Sequence, residues 1–182
     1  MAAPVRTPRR AWVEAGLRAL AVGGPDAVRV ESLATALGVS KGGFYHHFVD
    51  RAALLEAMLE TWEQRLVDEV IQRVDGDAGD ARGRLHGLLT QKVDDDVLDV
   101  ELAVRDWARR DGDVAARLAR VDDRRMDYMR TLFRATGCSE LEAEARGLLV
   151  LTLFIGDRHV AARHGTISRA QVAAAAYRLI ES

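Results

Sequence analysis

Residues 29–48 read RVESLATALGVSKGGFYHHF, and this stretch decides the fold. Val30, Leu33 and Leu37 fall at i, i+3 and i+7, on one face of a helix. Gly38 follows directly and suits the left-handed backbone that ends a helix. Ala34, one turn earlier, is small enough for a second helix to cross close by. Val39 is apolar and can pin the turn to a core. Ser40 is a good N-cap, its hydroxyl able to accept from an exposed N–H of the next helix. Phe44 and Phe48, at i and i+4, form the inward face of that helix. Lys41, Gly42, Tyr45, His46 and His47 are left facing outward. They are donors, a small residue and an aromatic, a mixture suited to phosphates and base edges. The spacing predicts a helix-turn-helix.

Two helices of this kind need a third to close a core. The segment from Pro8 to Val22 supplies it, with Val13, Gly16, Leu17 and Leu20 on one stripe and Gly23-Gly24-Pro25 as the stop. Ahead of it, Met1–Arg6 reads as a disordered arm. Its Arg6, with Arg9 and Arg10, could follow a phosphate backbone or simply be solvated. Asp50 caps a fourth helix in which Leu55, Met58, Leu59, Trp62, Leu66 and Val70 keep a stripe for about five turns. A helix that long should tie a small head to a second domain.

The totals agree with an all-α chain. Of 182 residues, 48% are hydrophobic and 30% charged, with three prolines and few aromatics. The net charge of −2 hides an asymmetry. Residues 1–50 carry six Lys/Arg against four Asp/Glu, and the remainder carries 20 against 24. The basic end holds the helix-turn-helix, as expected of an end that meets nucleic acid. Cys138 is the single cysteine, which excludes an intrachain disulfide and a cysteine-based zinc site and points to a reducing cytoplasm. No signal peptide is expected, because the N-terminus is Arg-rich and lacks an apolar run. The longest apolar run, Leu148–Ile155, falls far short of the ~18–20 residues that span a bilayer.

The acidic runs read as helix punctuation. Asp75–Asp80 (DGDAGD) lacks the spacing and terminal Glu of a calcium loop. Asp94-Asp95-Asp96 suits the N-cap and first turn of a sixth helix. A fifth helix covers about Ala81–Val93, the sixth Val97–Arg109, and a seventh Val114–Thr136, ended by Gly137. Ser139 caps an eighth, running to about Arg163, and Ser168 a ninth, ending near Ile180. The eighth is apolar almost all round over Leu148–Ile155 and must be covered on more than one side. The ninth offers Ala170, Ala173, Ala174, Ala175 and Ala176, which permit close approach. Pairing of helices 8 and 9 with their copies in a second subunit follows as the expectation. A buried central helix within a monomer is the other reading.

Ala34-Thr35-Ala36-Leu37-Gly38-Val39-Ser40-Lys41-Gly42, then Phe44-Tyr45-His46-His47-Phe48, then Asp50-Arg51-Ala52-Ala53-Leu54-Leu55, resembles the DNA-binding domain of the TetR family of bacterial transcription regulators. The resemblance implies an N-terminal three-helix domain over 7–67, with its motif at 29–48. A helical ligand-binding and dimerisation domain follows over 68–182, about nine helices in all. It implies a homodimer on a palindromic double-stranded DNA operator, most simply a repressor released by a small molecule. Carried over by position, Lys41 and Tyr45 contact phosphates, as does His46 or His47, while Gly42, Gly43 and His46 face base edges. Ser40 and Arg29 complete the DNA-binding set.

Two departures stand out. The family usually has Ser or Thr where this chain has Arg29, which weakens the first cap by ~1 kcal/mol. Arg29 could instead add a phosphate contact. The family often has Thr, Ser or Ala after the motif glycine, and here that residue is Gly43. The Gly42-Gly43 pair costs the recognition helix up to ~1 kcal/mol per glycine relative to Ala, so the free helix should be mobile and order on DNA.

The implied effector cavity should lie among helices 4 to 8. Candidate lining residues are Trp62, Leu66, Trp107, Met126, Met129, Phe133, Phe154 and His159, each of which could equally be core. No nucleophile–base pair, phosphate loop or metal spacing among the five histidines suggests an enzyme, and no cofactor or metal is expected. The rival reading is a helical small-molecule-binding or scaffold protein without DNA binding.

Overall fold

Nine helices and no strand make up the described residues, 7–76 and 79–182 of a computed structural model. The arm expected over Met1–Arg6 lies outside them, as do Asp77 and Ala78 of the acidic loop. Helix α1 is Arg9–Gly23, and a 3₁₀ turn, Pro25–Ala27, follows it. The helix-turn-helix is α2, Val30–Ala36, and α3, Lys41–Phe44. Helix α4 has three contiguous parts: α-helical Arg51–Glu63, π-helical Gln64–Asp68 and α-helical Glu69–Gly76. Then come α5 (Ala81–Thr90), α6 (Asp95–Ala108), α7 (Gly112–Ala135), α8 (Glu140–Gly156) and α9 (Arg169–Glu181).

The starts are set by caps. Asp50 Oδ1 accepts from the Ala53 N–H at 2.8 Å, and Asp80 Oδ1 from Gly83 at 2.8 Å. Ser139 with Glu142, and Ser168 with Gln171, form reciprocal capping boxes. Ser40 is the N-cap of α3 by backbone, but its hydroxyl makes no capping bond, so the expected side-chain cap is absent. Helix α8 also stops earlier than expected, at Gly156 rather than near Arg163, and Asp157–His159 is a 3₁₀ turn. The Arg169 guanidinium donates to the carbonyls of Asp157 and Val160, which a continued helix would need for itself.

The described residues divide into two compact units. One comprises those up to Leu66 together with Val93–Leu118, and the other Val67–Lys92 with Ala119–Ser182. In the first, α1 packs against α4 and α6, and α2 against α3. Its core holds Trp12, Leu17, Leu20, Phe44, Leu54, Met58, Trp62 and Val104. A Cβ on Gly16 would lie 2.5 Å from Met58 Sδ, so glycine is what lets α1 and α4 come this close. The second core is Val74, Leu85, Leu89, Met129, Leu132, Phe133, Ala143 and Val150.

The stripe of α4 departs from the expected one. Leu54 is buried and Leu55 only partly so; Met58, Leu59, Trp62 and Leu66 are buried as expected. Beyond Leu66 the buried positions become Val67 and Val74, and Val70 is half-exposed. A π turn inserts an extra residue into the helical repeat, which slips the buried line by one position.

Candidate DNA-binding site

The motif is built around Phe44. Its ring is fully buried, edge-on to Trp12 at 5.4 Å and stacked with Phe48 at 5.3 Å. Burying one such side chain is worth about 1.5–3 kcal/mol, so the two Phe residues fix the inward face of α3 and the turn after it. Gly38 has φ +67°, the left-handed backbone that turns α2 into α3. Arg51, at the start of α4, reaches back to the loop before α2. Its Nε donates to the Val28 carbonyl at 2.7 Å, and its terminal nitrogen to the Pro25 carbonyl. Asp26 likewise accepts on its carbonyl from Arg29 Nε at 3.1 Å. The approach to α2 is thus held from both sides, although α2 has no side-chain cap at Arg29.

With the Phe residues inward, Lys41, Gly42, Tyr45 and His46 are exposed, and Gly43 is half-exposed. Arg29 and Ser40 are exposed at the two ends of the motif. His47 differs from the outward position expected of it. It is half-buried, and its Nε2 donates to the Thr7 carbonyl at 2.8 Å, which fixes the hydrogen on that nitrogen. The Arg9 guanidinium sits 4.8 Å from the Phe48 ring centroid, a cation–π contact in the same region. His46 is therefore the histidine with its ring free for a ligand on this face.

Lys41 is paired with Glu31, from the first turn of α2, through Nζ and Oε1. That hydrogen bond holds the Glu31 carboxyl below its ordinary range and raises the Lys41 ammonium, so both groups are charged at neutral pH.

The residues expected around an effector separate by burial. Trp62, Leu66 and Trp107 are buried in the first unit, and Met129 and Phe133 in the second. Met126 and Phe154 are half-buried, and His159 is exposed on its 3₁₀ turn. Trp62 has a partner beyond the apolar neighbours expected of it. Its Nε1 donates at 2.8 Å to Oε2 of Glu101, a carboxylate with no exposed surface. Glu101 also accepts from Arg105 Nε at 2.6 Å. The signal was there in part, since Glu101 is i−4 to Arg105 and lies between Val100 and Val104 on the apolar face. No group of His, Cys, Asp or Glu among the described residues could hold a metal. No helix among them is long and apolar enough to cross a membrane.

This arrangement defines a helix-turn-helix DNA-binding protein. Residues 13–58 match the bacterial regulatory proteins of the tetR family. Solved structures extend the likeness over nearly the whole chain. A Rhodococcus sp. protein assigned to the TetR-family transcriptional regulators is 27% identical, covering 95% of this chain and 96% of that one, with a TM-score of 0.65. A transcriptional regulator from Saccharomonospora viridis, in complex with choline, is 21% identical over 95% of each chain, TM-score 0.76. AibR, in complex with isovaleryl coenzyme A and operator DNA, is 17% identical over 94% of this chain and 96% of its own, TM-score 0.69. No curated protein matches the chain. Residues 13–58 thus carry a tetR-family DNA-binding domain, and the chain as a whole shares the fold of these regulators.

Proposed function

We propose that the protein is a repressor that binds a palindromic operator as a homodimer and is released by a small molecule. The observation that carries the reading is the exposed face Lys41, Gly42, Tyr45 and His46, held outward by buried Phe44 and Phe48. In a helix-turn-helix the N-terminal residues of the second helix meet base edges, and flanking donors meet phosphates. Lys41 and Tyr45 are assigned to phosphates, Gly42, Gly43 and His46 to base edges, and Arg29 and Ser40 to the edges of the footprint. His47 serves through Thr7, which it holds. The DNA-binding domain is taken as 7–67 and the effector and dimerisation domain as 68–182.

Dimerisation through α8 and α9 is supported by surface that a lone chain leaves wet. Leu148 is 57% exposed and Leu149 54% on α8, and Leu179 is 78% exposed on α9. Apolar residues clustered on two helices mark an interface. Among the residues proposed for the effector, Met126, Phe154 and His159 keep accessible surface, and they are the ones a ligand would reach first. That the two relatives above bind choline and an acyl coenzyme A supports a small-molecule effector without identifying this one. The site of action is the bacterial cytoplasm, where the DNA is.

Selection of the bound sequence from a random duplex pool tests the whole reading. A recovered palindrome with half-sites about one or more helical turns (~34–36 Å each) apart is expected. Recovery of no enriched sequence, with flat anisotropy of generic duplex at low salt, would leave the rival scaffold function standing. Sedimentation of wild type and Leu148→Arg reads the interface separately, with a dimer and a monomer expected.

A further inference from the structure

We propose that Glu31 is a built-in brake on DNA binding, acting by occupying Lys41. The inference rests on the DNA-binding reading and goes beyond it, because it gives a role to a residue outside the DNA-contacting set. Lys41 is the first residue of α3 and stands on the exposed face with Tyr45, one turn on. A cation there is placed for a phosphate. In the free protein its Nζ is bonded to the Glu31 carboxylate, ten residues back in sequence and on the other helix of the motif. Both side chains are largely exposed, 50% for Lys41 and 66% for Glu31, so the pair is not needed to satisfy a buried charge. It also contributes little to the core, which is made by the other faces of α2 and α3, at Leu33, Ala34 and Phe44.

The carboxylate has two effects on an approaching duplex. It cancels the one lysine charge in the first fifty residues, so that this end of the motif presents less positive potential. It also has to be displaced, or held against a phosphate of the same sign, before Lys41 can make its contact. Both effects act on any duplex alike, because a phosphate contact carries no sequence information. The brake therefore sets affinity and salt tolerance and leaves the choice of operator unchanged. An alternative role, in which Glu31 orients Lys41 toward the phosphate, predicts the opposite sign.

The test is anisotropy of a labelled random-sequence duplex, titrated with wild type, Glu31→Gln, Lys41→Gln and the double variant over a series of salt concentrations. Glu31→Gln should bind ~3- to 10-fold more tightly per head near 0.1 M salt, with a log–log salt slope steeper by about one per head. Glu31→Ala should do the same, which guards against a peculiarity of the amide. The double variant should bind like Lys41→Gln, because the effect runs through the lysine. Glu31→Gln binding as wild type does, or more weakly, overturns the proposal. So does an equal gain in the Lys41→Gln background, which would make Glu31 a remote charge rather than a brake on Lys41. Wild type that binds no duplex at low salt overturns the DNA-binding reading and this inference with it. Wild-type binding with an unaltered variant overturns this inference alone.

Discussion

Glu101→Ala should be among the most destabilising single changes in the chain. The carboxylate has no exposed surface and accepts from Trp62 Nε1 at 2.8 Å and Arg105 Nε at 2.6 Å. Arg105 is itself only 21% exposed. Truncating Glu101 takes a charged acceptor away from a guanidinium and an indole N–H in the first unit. Breaking a buried ion pair from one side costs about 3–5 kcal/mol. Trp62→Phe removes one hydrogen bond to a charged acceptor, about 1.5–3 kcal/mol, and leaves Glu101 its arginine. Glu101→Ala should therefore lower stability more than Trp62→Phe. For a chain of this size each kcal/mol moves the melting temperature by roughly 2–4 °C, so a fall of about 6–20 °C is expected for Glu101→Ala. Urea unfolding followed by far-ultraviolet circular dichroism measures both variants and their double. Coupling between the two of about 0.5–3 kcal/mol is expected, since they share a bond. Replacing Glu101 by Leu and Arg105 by Met together should recover most of the loss, because an apolar pair of similar volume needs no partners. A Glu101→Ala cost below about 1 kcal/mol, against the 3–5 expected of a buried pair, would refute the reasoning. So would a double variant whose losses simply add.

Gly43→Ala should stabilise the free protein by up to ~1 kcal/mol, because Ala is the better helix former. The added Cβ would stand an ordinary 3.9 Å from Trp12 Cζ2. Slower amide exchange across Gly42 to Tyr45 should accompany it, and unchanged exchange would argue that the glycines do not set the mobility of α3. Gly16→Val should destabilise by about 1–3 kcal/mol through overpacking against buried Met58, and a wild-type unfolding midpoint would count against the close α1–α4 approach. For Glu14, burial pushes the carboxyl up, but the Arg65 and Arg10 guanidinium groups outweigh it and hold the group below the ordinary 4.5. A folded value below the unfolded one means stability fully present above about 4.5 and lost as the pH falls through the folded value. Glu14→Gln should therefore lower the melting temperature at pH 7 and flatten its decline in acid, and a parallel acid limb would refute the assignment.

What was legible in the sequence is what is local. Gly38, Phe44 and Phe48 lie within eleven residues of one another, and each carries its own backbone or periodic signal. The caps at Asp50, Ser139 and Ser168 are likewise decided within three residues of the helix they start. The misses share the opposite property. Trp62 meets Glu101 across 39 residues, and Arg51 meets Val28 across 23. The end of α8 is set by Arg169, twelve residues past Asp157. In each case a charged residue that composition assigns to the surface is spent on a partner that only the fold brings near. The π turn in α4 is a second kind of miss, since a one-residue slip keeps every residue type in place and moves only the register.

The candidate site divides along the same line. Its outward residues other than His47 could be named from spacing, because the two Phe residues fix which face is inward. Which of them are free to act could not. Lys41 is held by Glu31, and His47 by Thr7, forty residues back. Of the four side chains with donors at 41 and 45–47, Lys41 is bonded to Glu31 within the motif and His47 to Thr7 ahead of it, while Tyr45 and His46 stand exposed. On the DNA-binding reading, Lys41 and His47 are therefore already engaged when a duplex arrives. On that reading affinity depends on the bonds those two donors release, to Glu31 and Thr7, as well as on what they gain.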